Sequence, residues 1–148
     1  MLLRLTDLMP MPCPRPRISR FGAYYPADYR AWKRRADRVV RSALAGIPGH
    51  SPFSRPVAVS LMFVVPKPKK TKLATPRPDI DNYIKSIFDA CNELVWIDDT
   101  LVVEVQAVKM WANAFEPGIY MTVELDEHRI DIPAARTVPA VRKQGRAG

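Results

Sequence analysis

The chain is poor in the residues that cross-link small proteins or bind soft metals. It contains two cysteines and two histidines in 148 residues. Cys13 and Cys91 are too far apart to suggest a disulfide framework or a zinc site, and two histidines exclude a histidine-rich metal centre. The sequence also lacks an apolar run long enough for a bilayer span or a signal peptide. We therefore expect a reduced, cytoplasmic protein that does not contact a membrane.

Acidic residues are scarce relative to basic ones. The chain has 15 Asp and Glu against 23 Lys and Arg, which gives a formal net charge of +8 and a pI near 9.8. Such a charge favours polyanionic partners, above all nucleic acid, although a protein can also be basic without binding one. Because 47% of the residues are hydrophobic, the chain can bury a core, and its length fits one domain.

Hydrophobic periodicity predicts a small α/β (α+β) domain. The expected strands are residues 1–8, 56–65, 101–110 and 118–126, and the expected helices are residues 26–44 and 79–95. Residues 56–65 are apolar or small on both faces, which is typical of a central strand. We expect the last two strands to form a hairpin through residues 111–117.

Two segments lie outside this pattern. Residues 9–26 are rich in proline and arginine, which predicts an extended loop. Residues 130–148 are rich in alanine, proline and arginine, and we expect a basic tail there, after a domain of residues 1–129.

Basic side chains in two loops are candidates for binding DNA phosphates. These residues are Arg15, Arg17, Arg20, Lys67, Lys69, Lys70, Lys72 and Arg77. The first predicted helix is also basic and nearly free of acids, although a solvated helix face would look the same.

Four aspartates run against the basic trend of the chain, and they are Asp79, Asp81, Asp98 and Asp99. Hard divalent cations such as Mg²⁺ prefer carboxylate oxygens, so these residues are candidate metal ligands. Asp79 and Asp81 lie where a loop becomes the first turn of the second helix. A strand packed beside that helix could return Asp99 to the same end. Lys85 is four residues after Asp81, on the same helix face, and could steady a scissile phosphate.

Each of these residues also has an ordinary structural interpretation. Asp79 suits a helix N-cap, and Asp81 with Lys85 suits a surface ion pair. Asp98 and Asp99 suit a turn. Asp89 is better explained as a partner of Lys85 than as a metal ligand. Spacing alone leaves capping and metal binding equally open.

The combined spacing resembles a known family. Asp79-x-Asp81-Asn82-x-x-Lys85-x-x-x-Asp89, followed by Trp96-x-Asp98-Asp99, is similar to the RusA family of Holliday junction resolvases, which are common in prophages. The similarity covers roughly residues 10–125, and its specific part is residues 77–109.

The resemblance implies a homodimer that binds four-way DNA junctions and nicks two opposing strands in DNA recombination and repair. It implies a mixed four-stranded sheet flanked by two main helices, and Mg²⁺ as cofactor, with Mn²⁺ as a substitute and no small-molecule cofactor. Asp79, Asp81 and Asp99 would be the catalytic metal-binding acids, Lys85 the catalytic lysine and Asp98 a neighbouring ligand. The sequence leaves the dimer interface open between the first helix and the apolar residues around Trp111 and Phe115.

Two other functions remain open at this point. One is a basic DNA- or RNA-binding protein without catalytic activity. The other is a nuclease that prefers flaps or forks to four-way junctions. The aspartate cluster favours a nuclease, because a phosphate-binding protein gains nothing from four acids beside its basic loops.

Overall fold

The computed structural model of the protein describes residues 1–127, so the predicted tail at residues 130–148 lies outside the described residues. The strands are β1 (Leu2–Leu5), β2 (Arg17–Ser19), β3 (Gly22–Tyr24), β4 (Val57–Val65), β5 (Val102–Trp111) and β6 (Gly118–Leu125). The helices are α1 (Ala27–Ala45) and α2 (Ile80–Cys91), and a turn of 3-10 helix at Asp99–Leu101 precedes β5. No helix within residues 1–127 is long and apolar enough to span a membrane.

The main sheet has four strands in the order β1-β6-β4-β5. β4 pairs in parallel with β5 and antiparallel with β6, and β1 pairs antiparallel with β6. These pairings confirm the predicted mixed four-stranded sheet with two main helices. They also confirm β4 as a central strand, as expected for a segment that is apolar on both faces.

The predicted hairpin of the last two strands is wrong. β5 and β6 lie on opposite sides of β4, and residues 112–117 connect them across it. The reason is that α2 carries the chain back along the sheet, so that β5 starts at the same end as β4 and runs parallel to it. β6 then fills the remaining side of β4 as an antiparallel strand.

Both helices contribute to one hydrophobic core on one face of the sheet. Alternate residues of β4 face this core, and Val57, Val59 and Phe63 are almost fully buried. α1 contacts both α2 and β1, whereas α2 lies at the β5 end of the sheet. β5 is therefore both a sheet edge and the strand beneath α2.

The second helix ends earlier than its sequence pattern predicts. α2 stops at Cys91 instead of near residue 95, because Glu93 adopts a positive φ of 63° that an α-helix cannot contain. Val95 and Trp96 are buried beyond the helix end, where Trp96 pairs with Phe53 in an isolated bridge.

The predicted extended loop at residues 9–26 contains a short hairpin. β2 and β3 pair antiparallel, and Gly22, at φ +112°, lies in the left-handed region needed to close the tight turn. The expectation of a loop without strands was therefore wrong for residues 17–24.

Candidate active site and nucleic-acid surface

Asp79 and Asp81 are both exposed at the N-terminus of α2. Asp79 occupies the N-cap position, but its side chain makes no capping hydrogen bond. The carboxylate of Asp81 accepts one hydrogen bond of 3.3 Å from the side-chain amide of Asn82. Asp79 therefore has the N-cap position that its capping interpretation predicted but not the capping hydrogen bond, and both carboxylates retain oxygens that can bind a cation.

Three side chains fix the loop that leads to these acids. The Tyr83 hydroxyl donates to the carbonyl of Arg77 at 2.6 Å, and the Lys109 amine donates to the carbonyl of Pro78. The Trp111 indole donates to the carbonyl of Leu73 at 3.0 Å. Burial raises the pKa of Tyr83, so this phenol stays a neutral donor. These contacts hold Asp79 and Asp81 at the end of the sheet where β4 and β5 finish.

Lys85 lies one helical turn after Asp81, on the exposed face of α2. Its amine is 3.6 Å from the carboxylate of Asp89, and Lys85 forms no ion pair with Asp81 in the described part of the chain. The interpretation of Asp89 as a structural partner of Lys85 is thus confirmed. The Lys85 side chain is 59% exposed, which leaves it accessible to a phosphate.

Asp98 and Asp99 lie in the turn that precedes β5. The carboxylate of Asp98 accepts a 2.9 Å hydrogen bond from the backbone amide of Thr100 and caps the 3-10 turn. Hydrogen bonds from the side chain and backbone of Thr100 lower the pKa of Asp98. Asp98 therefore has the structural role expected of a turn residue, and its metal-binding role stays a prediction. Asp99 is half-buried and makes no such side-chain capping bond.

The structure separates Asp99 from the other two candidate acids. Asp99 precedes the N-terminal end of β5, whereas Lys109, which contacts the Asp79 loop, lies near its C-terminal end. The seven steps along the strand from Val102 to Lys109 span about 23 Å at the usual rise per residue. We expected a strand beside α2 to return Asp99 to the N-terminus of that helix. This expectation is wrong within one chain. Because β5 runs parallel to β4, Asp99 lies at the start of β5, at the opposite end of the strand from the Asp79 loop.

The candidate ligands have the chemistry that Mg²⁺ prefers, but one chain brings too few of them together. Asp79 and Asp81 offer hard, exposed carboxylate oxygens, which is the chemistry that Mg²⁺ prefers. Within residues 1–127, no group of three or more His, Cys, Asp or Glu residues is close enough to hold a metal ion. One chain thus provides a half-site of two acids, with Asp99 at a distance.

Two basic segments of the chain adjoin the elements that carry this half-site. All eight candidate DNA-binding residues are exposed, and they are Arg15, Arg17, Arg20, Lys67, Lys69, Lys70, Lys72 and Arg77. The chain before the β2–β3 hairpin is fixed to α2, because the amide of Cys13 donates to the carbonyl of Asn82 at 2.8 Å. The hydroxyl of Ser86 also donates to the carbonyl of Met11 at 2.6 Å. The hairpin and the lysine loop therefore leave the fold from the same region as Asp79 and Asp81.

The hairpin carries apolar side chains that the sequence analysis did not identify as functional. Ile18 is 87% exposed and Phe21 is 85% exposed, at or beside the turn. The Arg20 guanidinium lies 4.6 Å from the centre of the Phe21 ring. The glycine after Phe21, which permits a tight turn, was the only sequence signal for this feature.

A cleft within residues 1–127 lies elsewhere and holds no candidate catalytic acid. It measures about 560 Å³ and is lined mainly by residues 47–55 together with Met1, Leu2 and Leu125. It contains no acid, and its His50 ring nitrogen is engaged with the carbonyl of Leu94 at 2.9 Å. The candidate site is thus an open surface, as expected for a protein that binds an extended polymer.

Together, the fold and the site define a class of small basic α+β proteins that present paired carboxylates between cationic segments. A family model described as "Endodeoxyribonuclease RusA" matches residues 7–124. The chain therefore belongs to the endodeoxyribonuclease RusA family. It is also similar to the uncharacterized protein YqaN of Bacillus subtilis (strain 168), with 37% identity over 49 residues. That match covers 33% of this chain and 33% of the relative.

Proposed function

We propose that the protein is a Mg²⁺-dependent endodeoxyribonuclease that resolves four-way DNA junctions as a homodimer by paired, symmetric nicks. The family membership supports an endodeoxyribonuclease. The observation that carries the proposal is that the carboxylates of Asp79 and Asp81 are exposed between basic segments of the chain. The Asp79 side chain makes no helix-capping hydrogen bond, so its oxygens are available to a cation. A protein that only bound phosphates would be weakened by acids at this position.

Each group of residues has a distinct role in this proposal. Asp79, Asp81 and Asp99 would hold the metal, with Asp98 as a further candidate ligand. When bound, Mg²⁺ polarises the phosphodiester and lowers the pKa of the attacking water. The Lys85 ammonium stabilises negative charge on the scissile phosphate. The lysine loop and the arginines of the hairpin bind flanking phosphates and orient the strand to be cut.

The direct test is cleavage of a synthetic four-way junction whose strands are labelled one at a time. We expect paired nicks at symmetric positions in two opposing strands with Mg²⁺, and no nicks in EDTA. Flap, fork and linear duplex substrates of the same sequence serve as comparisons. Faster cleavage of flaps or forks would reassign the substrate. Tight binding without cleavage at any Mg²⁺ or Mn²⁺ concentration would identify a non-catalytic binding protein.

The β2–β3 hairpin gives a separate prediction about DNA binding. Junction centres expose base faces, and stacking of one base on an aromatic ring contributes about 1–3 kcal/mol. We therefore expect Phe21→Ala to weaken binding to the junction about tenfold at constant salt, as measured by fluorescence anisotropy. The slope of log affinity against log salt should not change, because no phosphate contact is removed.

Phe115 offers a matched control for this substitution. It is 50% exposed and lies against Tyr120, beyond the end of β5. Phe115→Ala should leave the affinity for the junction near that of the unmodified protein. Equal losses for both variants would show that the hairpin has no special role in binding.

A further inference from the structure

The first helix carries a row of arginines that the proposed active site does not use. α1 faces the core through Tyr29, Trp32, Ala36, Val40 and Leu44. Arg30, Arg34 and Arg38 are exposed and lie four residues apart. Because four residues advance a helix by little more than one turn, these side chains follow one another along the outward side of α1 over about 12 Å. We call this set the arginine row.

The acids of α1 do not neutralise the arginine row. The helix contains two acids, and both are engaged elsewhere. The carboxylate of Asp28 accepts a 2.8 Å hydrogen bond from the backbone amide of Tyr29, and Asp37 pairs with Arg41 at 3.0 Å. None of the three arginines of the row forms an ion pair with an acid in residues 1–127. Their charges are therefore available to a partner.

These charges also oppose the stability of the helix that carries them. Like charges four residues apart repel each other, which applies to Arg30 with Arg34 and to Arg34 with Arg38. Arg30 lies near the N-terminus of α1, where the helix dipole disfavours a cation. A face that served only solubility would gain stability from acids at some of these positions. The row therefore indicates a polyanionic partner better than it indicates a solvated face.

The position of the row relates it to the candidate site. Arg30 follows the last residue of β3 by six residues, so the row begins beside the basic hairpin. At its other end, Arg38 and Arg4 line a cleft of about 270 Å³ between α1 and β1. Asp7 also lines this cleft, and its backbone carbonyl accepts a 2.9 Å hydrogen bond from the Arg35 guanidinium. The row thus leads from the hairpin toward the β1 edge of the sheet.

We propose that the arginine row, with Arg4 at its end, is a second DNA surface that binds the phosphates of a duplex arm beyond the point of cleavage. The inference rests on the proposed function and deepens it. It gives the basic first helix a role, whereas the sequence left that helix open between a phosphate-binding face and a solvated one.

A duplex backbone fits the row better than other anionic partners. One strand presents a phosphate about every 3.4 Å along the duplex axis, so the row spans about three phosphates. Surfaces for single strands also stack bases on aromatic rings, whereas both aromatic residues of α1, Tyr29 and Trp32, are buried. A helix that binds membranes inserts its apolar face, and the apolar face of α1 lies in the core.

The salt dependence of duplex binding tests the surface without cleavage. The probe is a labelled linear duplex of about three helical turns, titrated in EDTA at several KCl concentrations and followed by fluorescence anisotropy. Each phosphate contact contributes about 0.9 to the slope of log affinity against log salt. The variant Arg30→Gln/Arg34→Gln/Arg38→Gln should therefore lose about 2.7 from this slope for each copy of the chain that binds.

Two comparisons separate the row from net charge and from misfolding. Arg34→Gln should lose about 0.9 from the slope, whereas Arg55→Gln, at an exposed position before β4, should lose none. Equal losses for these two variants would overturn the row. The variant Arg30→Lys/Arg34→Lys/Arg38→Lys keeps the charges and should keep the slope. Glutamine and arginine have similar helix propensities, so urea denaturation should show no loss of stability in the glutamine variant.

Hydroxyl-radical footprints on a four-way junction locate the contact. The unmodified protein should protect the backbone of an arm as well as the exchange point, and the glutamine variant should lose the protection of the arm. If the unmodified protein cuts junctions while the glutamine variant keeps the slope and the arm footprint, the second surface is wrong and the proposed function stands.

Failure of the proposed function gives a different result. The unmodified protein would then neither bind junctions preferentially nor cut them, and the slopes on linear duplex would decide the row by themselves. Absence of duplex binding by the unmodified protein would overturn both proposals. A larger loss on single-stranded DNA or on phosphatidylserine vesicles than on duplex would overturn the assignment of the row to a duplex arm.

Discussion

Asp81→Asn is expected to abolish junction cleavage and to leave junction binding intact. Asparagine keeps the size of the side chain but removes the negative charge that binds a divalent cation. Loss of outer-shell partners of a metal typically costs 10–100-fold, so we expect the loss of a direct ligand to exceed about 100-fold in single-turnover rate. Binding should be equal or slightly tighter, since one repulsive charge near the phosphates is removed.

Asp37→Asn is the control for this experiment. Asp37 lies on α1 in an exposed ion pair with Arg41, at 3.0 Å, so its replacement should change neither cleavage nor folding appreciably. Cleavage rates are measured on a labelled junction with enzyme in excess, and affinities are measured in Ca²⁺ or EDTA. Mg²⁺-dependent cleavage by a pure Asp81→Asn preparation would remove Asp81 from the site.

Trp96→Ala should produce the largest loss of stability. Trp96 is fully buried and makes an edge-to-face contact with Phe88 at a centroid distance of 5.2 Å. Truncation of such a side chain removes its apolar contacts and leaves a cavity, and we expect a decrease of about 3–5 kcal/mol in the free energy of unfolding. Urea denaturation followed by circular dichroism measures this change.

Two comparisons show whether the loss comes from packing. The indole nitrogen of Trp96 is buried and has no hydrogen-bond partner in the described part of the chain. Trp96→Phe, which keeps most of the ring and removes this group, should therefore cost much less than the alanine variant. Trp111→Ala removes a half-buried tryptophan at the end of β5 and should also have a smaller effect. Similar losses for all three variants would contradict a dominant packing role for Trp96.

Local features of the fold could be predicted from the sequence because they depend on periodicity. The two apolar faces of residues 56–65 identified β4 as central, and the stripes of α1 and α2 identified their buried sides. The register of Asp81, Lys85 and Asp89 on one helix likewise follows from 3.6 residues per turn. The pairing of Lys85 with Asp89 is a local consequence of that spacing.

The order of the strands could not be read from the same patterns. The short link between β5 and β6 favours a hairpin of these two strands. In the fold, however, α2 connects β4 to β5 so that β5 pairs in parallel with β4. This tertiary arrangement also determines where Asp99 lies. The β2–β3 hairpin was missed because the prolines that precede it dominate the composition of that segment.

The three contacts that hold the loop before Asp79 have a consequence for the order in which the fold opens. Tyr83, Lys109 and Trp111 attach this loop to α2 and β5, so Asp79 and Asp81 keep their positions only while that end of the sheet is closed. A local opening of the last residues of β5 would therefore displace the two acids before the core unfolds, and amide hydrogen exchange would detect this opening.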